Sequence, residues 1–116
     1  MRWKLTVRSG PRVKRSSFPD VQPALEELEA RGRELAGSAP DQAVDAKFKR
    51  FEPQQQVIAR LELAGPERFV PSVRVGIDVR GDGSVEAYRG RLRRAVIEER
   101  KGENAYAALR RVVSET

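Results

Sequence analysis

SVRVGIDVRGDGSVEAYRGRLR, residues Ser72 to Arg93, is the stretch whose reading decides the fold. Val73, Val75, Ile77 and Val79 alternate with Arg74, Gly76, Asp78 and Arg80, the two-residue period of a half-buried strand. Gly81-Asp82-Gly83 supplies the positive-φ residues of a tight hairpin turn, and Val85-Glu86-Ala87-Tyr88 resumes the alternation. One face of this hairpin is aliphatic; the other carries arginine and carboxylate. If the same parity held past Tyr88, Arg89, Arg91 and Arg93 would point inward, and burying unpaired guanidinium is too costly for that. Gly90 therefore reads as a bulge that re-aims the strand and places Leu92 inside.

Upstream, Val57, Ala59, Leu61 and Leu63 form the inner face of a preceding strand, with Arg60 and Glu62 outside. Ala64-Gly65-Pro66-Glu67 turns the chain into the hairpin, with Pro71 at its entry. Val44, Ala46 and Phe48 alternate with Asp45, Lys47 and Lys49, which predicts one more strand before a turn at Glu52-Pro53-Gln54-Gln55. At the start of the chain Trp3, Leu5 and Val7 alternate with Lys4, Thr6 and Arg8, and Ser9-Gly10-Pro11 is a turn signal. Arg12 to Phe18 reads as the return strand, with Val13 and Phe18 as its apolar anchors.

A helix is predicted from Val21 to about Ala36, capped by Asp20. Val21, Leu25, Leu28, Gly32 and Leu35 fall on one stripe, while Glu27–Arg31 and Glu29–Arg33 are i, i+4 pairs on the outer face. Gly37 stands where a helix-ending glycine belongs, and Pro40 follows it as a stop. Near the end of the chain Gly102 breaks the pattern, Asn104 caps, and Ala105, Leu109 and Val112 open a terminal helix. The resulting order, β-β-α-β-β-β-β-α, describes a single α+β domain over residues 1–116. Its expected architecture is a mostly antiparallel sheet of four to six strands with both helices on one face and the other face open.

Composition narrows the chemistry. The 116 residues suffice for one core without cross-links. The absence of cysteine excludes disulfides and thiolate metal sites, and the absence of histidine removes the commonest general base and metal ligand. The amino terminus shows no apolar signal region, and no apolar run is long enough to span a bilayer. A cytoplasmic protein without membrane attachment is expected. The net charge is +6, from 23 basic and 17 acidic residues, and 18 of the basic ones are arginine. Arginine favours planar bidentate partners such as phosphate and carboxylate, so the excess points to nucleic acid. A GC-rich coding sequence would raise arginine and alanine together without any ligand.

The open face is expected to display Arg2, Lys4, Arg8, Arg60, Arg74, Arg80, Arg91 and Arg93 among Glu62, Asp78 and Glu86, with Tyr88 as an aromatic platform. A basic sheet with aromatic platforms suits single-stranded nucleic acid. Cross-strand arginine–carboxylate pairs forming a solvated lattice is the other reading, and the three acids favour it. Two denser clusters stand out: Arg8, Arg12, Lys14 and Arg15 in the first hairpin, and Arg89, Arg91, Arg93 and Arg94 after Tyr88. Either can grip a phosphate backbone without reading bases, or can protect a sheet edge from aggregation.

The order strand, turn, basic strand, Phe18, helix resembles the hairpin-plus-helix of integrase arm-type DNA-binding domains. Val7, Gly10, Val13, Lys14, Arg15, Phe18 and the helix start Ala24-Leu25-Glu26 carry that resemblance over about a third of the chain. The long meander that follows has no counterpart there.

Sharper motifs fail on their own chemistry. Asp78, Asp82 and Gly83 echo the opening of a calcium loop, but Arg80 and Arg89 occupy positions that need carboxylates. Gly81 and Gly83 lack the Lys-Ser/Thr of a phosphate loop and the third glycine of a dinucleotide fingerprint. Arg80-Gly81-Asp82 spells an integrin-binding tripeptide, which the hairpin turn already explains. Asp78 and Glu86 flank one turn, but on a solvated face nothing would set their pKa values apart for acid–base work.

The sequence thus predicts a non-enzymatic binding module without cofactor or metal, contacting nucleic-acid phosphates through Arg12, Lys14, Arg15, Arg89, Arg91, Arg93 and Arg94, with Tyr88 beside them. A protein-interaction or self-assembly domain, using a strand edge or the open face, is the alternative.

Overall fold

Pairing between Leu61 and Ile77, each wholly removed from solvent, sits at the middle of the protein and fixes the register of the two central strands. A computed structural model describes residues 2–46, 56–66, 73–90 and 93–115. Its elements are β1 (Trp3–Ser9), β2 (Arg12–Phe18), α1 (Val21–Ala46), β3 (Val57–Ala64), β4 (Arg74–Arg80), β5 (Val85–Arg89), β6 (Ala95–Val96) and α2 (Ala105–Ser114). The strands form one six-stranded sheet, β2-β1-β3-β4-β5-β6, in which every neighbouring pair is antiparallel. Both β2 and β3 run against β1, so they are parallel to each other across it, and such a connection needs a long crossover. The 26-residue α1 supplies it.

The expected α+β architecture is present, with its two helices on one face. Trp3, Leu5 and Val7, Leu61 and Leu63, Val75, Ile77 and Val79, and Ala87 point to one side of the sheet and are buried with Leu25 and Leu28 of α1 and Leu109 of α2. Contacts run from α1 to β1 through β4 and from α2 to β4 and β5. Each fully buried leucine or isoleucine contributes about 1.5–3 kcal/mol from leaving water. The helices touch where Gly32 meets Tyr106: a Cβ on Gly32 would stand 3.1 Å from the ring's Cζ. Asn104 caps α2 as expected, its Oδ1 accepting from Ala107 N at 2.8 Å. None of the described helices is long and apolar enough to cross a membrane.

Several local expectations need correction. Helix α1 does not stop at Ala36; it continues through Gly37 and Pro40 to Ala46. Its apolar stripe takes one more step, from Leu35 to the wholly buried Ala39, and this packing outweighs the local stop signals. Val44 to Ala46, read as strand, are therefore helical: so short an alternation does not distinguish the two. The fourth strand after α1 is instead the two-residue β6. Phe48, the Glu52–Gln55 turn, Pro71, Arg91 and Leu92 lie outside the described residues. Asp20 makes no cap bond to α1 among the described residues. Val57 is exposed because the register shifts between Val57 and Ala59.

The central turn also differs in detail. Only Gly83, at φ 87°, has a positive φ there; Gly81 does not. Gly83 N donates to Arg80 O and Arg80 N to Ser84 O, both at 2.9 Å, which makes a three-residue hairpin loop with its left-handed residue third. Gly81 N donates to Gln56 O at 2.8 Å, tying the turn to the start of β3. A Cβ on Gly83 would lie 3.2 Å from the Ala36 carbonyl oxygen, the oxygen for which Pro40 has no N–H to offer. Gly90, at φ 97°, is a reversal into β6 rather than a bulge within a continuing strand, and a Cβ there would meet Arg93 O at 2.6 Å.

Gly83→Val should lower the unfolding free energy by more than about 1 kcal/mol, since a branched side chain disfavours positive φ and meets the α1 backbone. Gly37→Ala, inside a helix with open space around it, should stabilise by about 0.5–1 kcal/mol. Urea denaturation of both variants measures this, and loss of stability in Gly37→Ala would contradict the helix running through that position.

Candidate functional site

On the face away from the helices, antiparallel pairing sets side chains of neighbouring strands in rows. One row runs Val13, Arg8, Arg60, Asp78, Glu86; the next runs Arg15, Thr6, Glu62, Gly76, Tyr88, Val96. The three acids are all engaged. Arg60 Nε donates to Asp78 Oδ1 at 2.7 Å and its Nη2 to Oδ2 at 3.3 Å, a two-point bond to a carboxylate that is only 9% exposed. That bond raises the Arg60 pKa against the opposing effect of burial. Arg80 Nη2 reaches Glu86 Oε1 at 2.9 Å, and Arg94 Nη2 lies 3.6 Å from Glu62 Oε1. This is the expected arginine–carboxylate lattice, except that Asp78 at its centre is buried rather than solvated, and it occupies the cations nearest the centre of the sheet.

Tyr88 is where the register of β5 places it, on this face, but it is not a solvent platform. Its ring lies across Gly76 and is 5% exposed. A Cβ at Gly76 would collide with the ring, and would stand 2.7 Å from the Leu61 carbonyl oxygen. The Arg60 and Arg94 guanidinium carbons sit 5.8 and 5.3 Å from the ring centroid, so cations hold the positions a stacked base would take. Its hydroxyl is buried without a hydrogen-bond partner among the described residues. Burial, followed by the charges of Glu62 and Asp78, raises the pKa of the phenol.

The remaining predicted site residues fall at the two ends of the sheet. Arg12, Lys14 and Arg15 are exposed on the edge strand β2, with Arg8 exposed beside them on β1. None of these four has an ion pair among the described residues. By pairing, Arg15 shares the open face with Arg8, whereas Lys14 pairs with Val7 and takes the helix side. The hairpin therefore carries positive charge on both of its faces. At the other end, Arg89 keeps its inward parity opposite Val75 yet stays exposed, because it lies at the end of β5. Arg93 is exposed in the reversal after Gly90, and Arg94 is taken by Glu62 and Tyr88.

The two basic clusters do not form one site. Four inter-strand steps separate β2 from β5, about 19 Å at the usual spacing. Sequence order does not reveal this, because the β2–α1–β3 crossover puts the first hairpin at one edge and the meander carries the chain to the other. Among the described residues no group of three or more acidic side chains could hold a metal ion.

At pH 7, Tyr88→Phe should leave stability unchanged or raise it by up to about 1 kcal/mol, since it removes a buried hydroxyl with no partner among the described residues. Above pH 10, roughly the ordinary tyrosine value, the unfolded chain ionises this phenol while the folded one resists, so stability falls as pH rises. Denaturant midpoints between pH 8 and 11 should show that fall and a shallower one in Tyr88→Phe, with Tyr106, also raised by burial, still contributing. Comparisons with protein-family models, curated proteins and solved structures give no match to this chain.

Proposed function

We propose that this chain is a non-catalytic, cytoplasmic binding module that grips nucleic-acid phosphates through the β1–β2 hairpin. One observation carries the reading: Arg8, Arg12, Lys14 and Arg15 are exposed together without a carboxylate partner among the described residues, while the acids of the open face are matched to other arginines. Unneutralised guanidinium and ammonium groups in close array are what releases counterions from a phosphate backbone. The side chains lie on both faces of a ribbon, which suits contacts to phosphates rather than hydrogen bonds to particular base edges. Arg89 and Arg93, at the far edge, extend the positive surface but belong to a second contact. With Tyr88 covered by Arg60 and Arg94, base stacking contributes nothing in this reading.

Self-assembly through a sheet edge is the second reading. Val13 on β2 and Val96 on β6 are 42% and 55% exposed, and both strands are edges. The cations that flank Val13 work against β2 pairing with a second β2, since like charges would meet across the new ladder.

Fluorescence anisotropy with single- and double-stranded DNA and RNA tests the proposal. Binding tighter than about 100 μM at about 50 mM salt is expected, with a log–log salt slope near −3 to −4 for roughly four phosphate contacts. The combined variant Arg12→Glu, Lys14→Glu, Arg15→Glu should lose binding more than about tenfold for every sequence while keeping its unfolding free energy within about 1 kcal/mol. Absence of binding by the natural chain, or unchanged binding by the folded variant, would overturn it. A dimer at high concentration by light scattering, with no nucleic-acid binding, would favour the second reading.

A further inference from the structure

Away from the hairpin turn, where β1 begins, the two helices leave a groove of about 480 Å³ between them. The floor is apolar: Trp3, Leu25 and Val73, all buried in the core. Its indole is held firmly, since a Cβ on Gly65 would stand 3.1 Å from Trp3 Cζ3. One wall is the first turn of α1, with Val21 and Gln22; the other is a stripe of α2, with Ala107, Arg110, Arg111 and Ser114 at the spacing of one helix face. The volume lies within the range of about 300–1,000 Å³ typical of small-molecule sites, and the pattern of an apolar floor with a few polar groups at the rim is theirs as well.

Charge at the rim is uneven. Arg111 is spent: its Nε and Nη2 bind Glu103 at 2.9 and 3.2 Å, and Nη2 also donates to Glu98 O at 3.0 Å. Arg110 is not. It gives one Nη2 contact, 3.0 Å, to Glu29 Oε1, and that same carboxylate is 2.8 Å from Arg33 Nη2. Burial pulls the Glu29 carboxyl upward, but the bonds from Arg110 and Arg33 outweigh it and hold the group below its usual range. Two guanidinium groups therefore share one anion, and Arg110 keeps donors that Glu29 does not use. The α1 end does not add to these donors: helix amino termini favour anions, but the exposed Asp20 directly precedes Val21 and already stands there. The α2 end, at Ser114, is the carbonyl end and disfavours them.

We propose that this groove binds a small amphipathic carboxylate, its acyl or aryl body over Trp3 and its head group at Arg110 on α2. A planar carboxylate suits the unused guanidinium donors of Arg110 better than a neutral head does. The site lies at the other end of β1 from the basic hairpin turn and does not depend on nucleic-acid binding.

Trp3 is the only tryptophan of the chain, so its fluorescence reports on the groove floor. Titration of the full chain with decanoate should give a saturable change with Kd below about 1 mM, and with 1-decanol one at least about fivefold weaker. Arg110→Gln should bring decanoate to the level of decanol while leaving decanol unchanged; Glu29 keeps Arg33, so the fold is retained. Ala107→Leu, a substitution compatible with the helix, should weaken both ligands by filling the groove. A response to decanoate that does not saturate, equal affinity for the two ligands, or decanoate binding that survives either variant would overturn the proposal.

Discussion

Removal of one aliphatic sheet face from water is the constraint on which the rest depends. Leu5, Leu61, Leu63, Ile77 and Val79 come from three adjacent strands and cannot be buried by the sheet itself, so α1 and α2 must lie over them. Because strand side chains alternate, the same pairing that buries Leu61 against Ile77 commits Arg60 and Asp78 to the opposite face. A one-residue slip would exchange the two sets, which makes the register strongly specified. The polar face is thus a consequence of the core.

That polar face then organises itself. Charges brought side by side on adjacent strands pair in the geometry available, as in Arg60–Asp78 and Arg80–Glu86, while Arg94 reaches Glu62 of β3 from the turn before β6. Gly76 leaves a hollow on β4 that the Tyr88 ring of β5 fills, and Arg60 and Arg94 close over it. The centre of the sheet has its charge matched and its aromatic group covered. Cations in excess of acids lie at the periphery, at the hairpin edge and along the groove between the helices. The net charge of +6 matters through this distribution more than through its size.

Most of the strand content and α2 were legible in the chain, because alternation in Val73–Val79 or Leu61–Leu63 and the cap at Asn104 are local signals backed by burial. Errors arose where local and long-range terms disagree. Gly37 and Pro40 are stop signals by propensity, but Ala39 finds a buried place and α1 runs on. Tyr88 has the parity of an exposed residue; its cover comes from Gly76, Arg60 and Arg94, which reach it only through strand pairing and the β5–β6 reversal. The groove had no sequence signal at all, since Trp3, Val21, Val73 and Arg110 are scattered along the chain.

The amino-acid sequence by itself determined the fold class and most of the strand residues that face the core, because these follow from period, turn chemistry and the cost of burying charge. Only the tertiary structure decided which cations are left without a partner. Whether an arginine is neutralised depends on what stands within about 4 Å of it, and here that is set by pairing between strands and by contacts such as Arg110–Glu29, made between residues 81 positions apart.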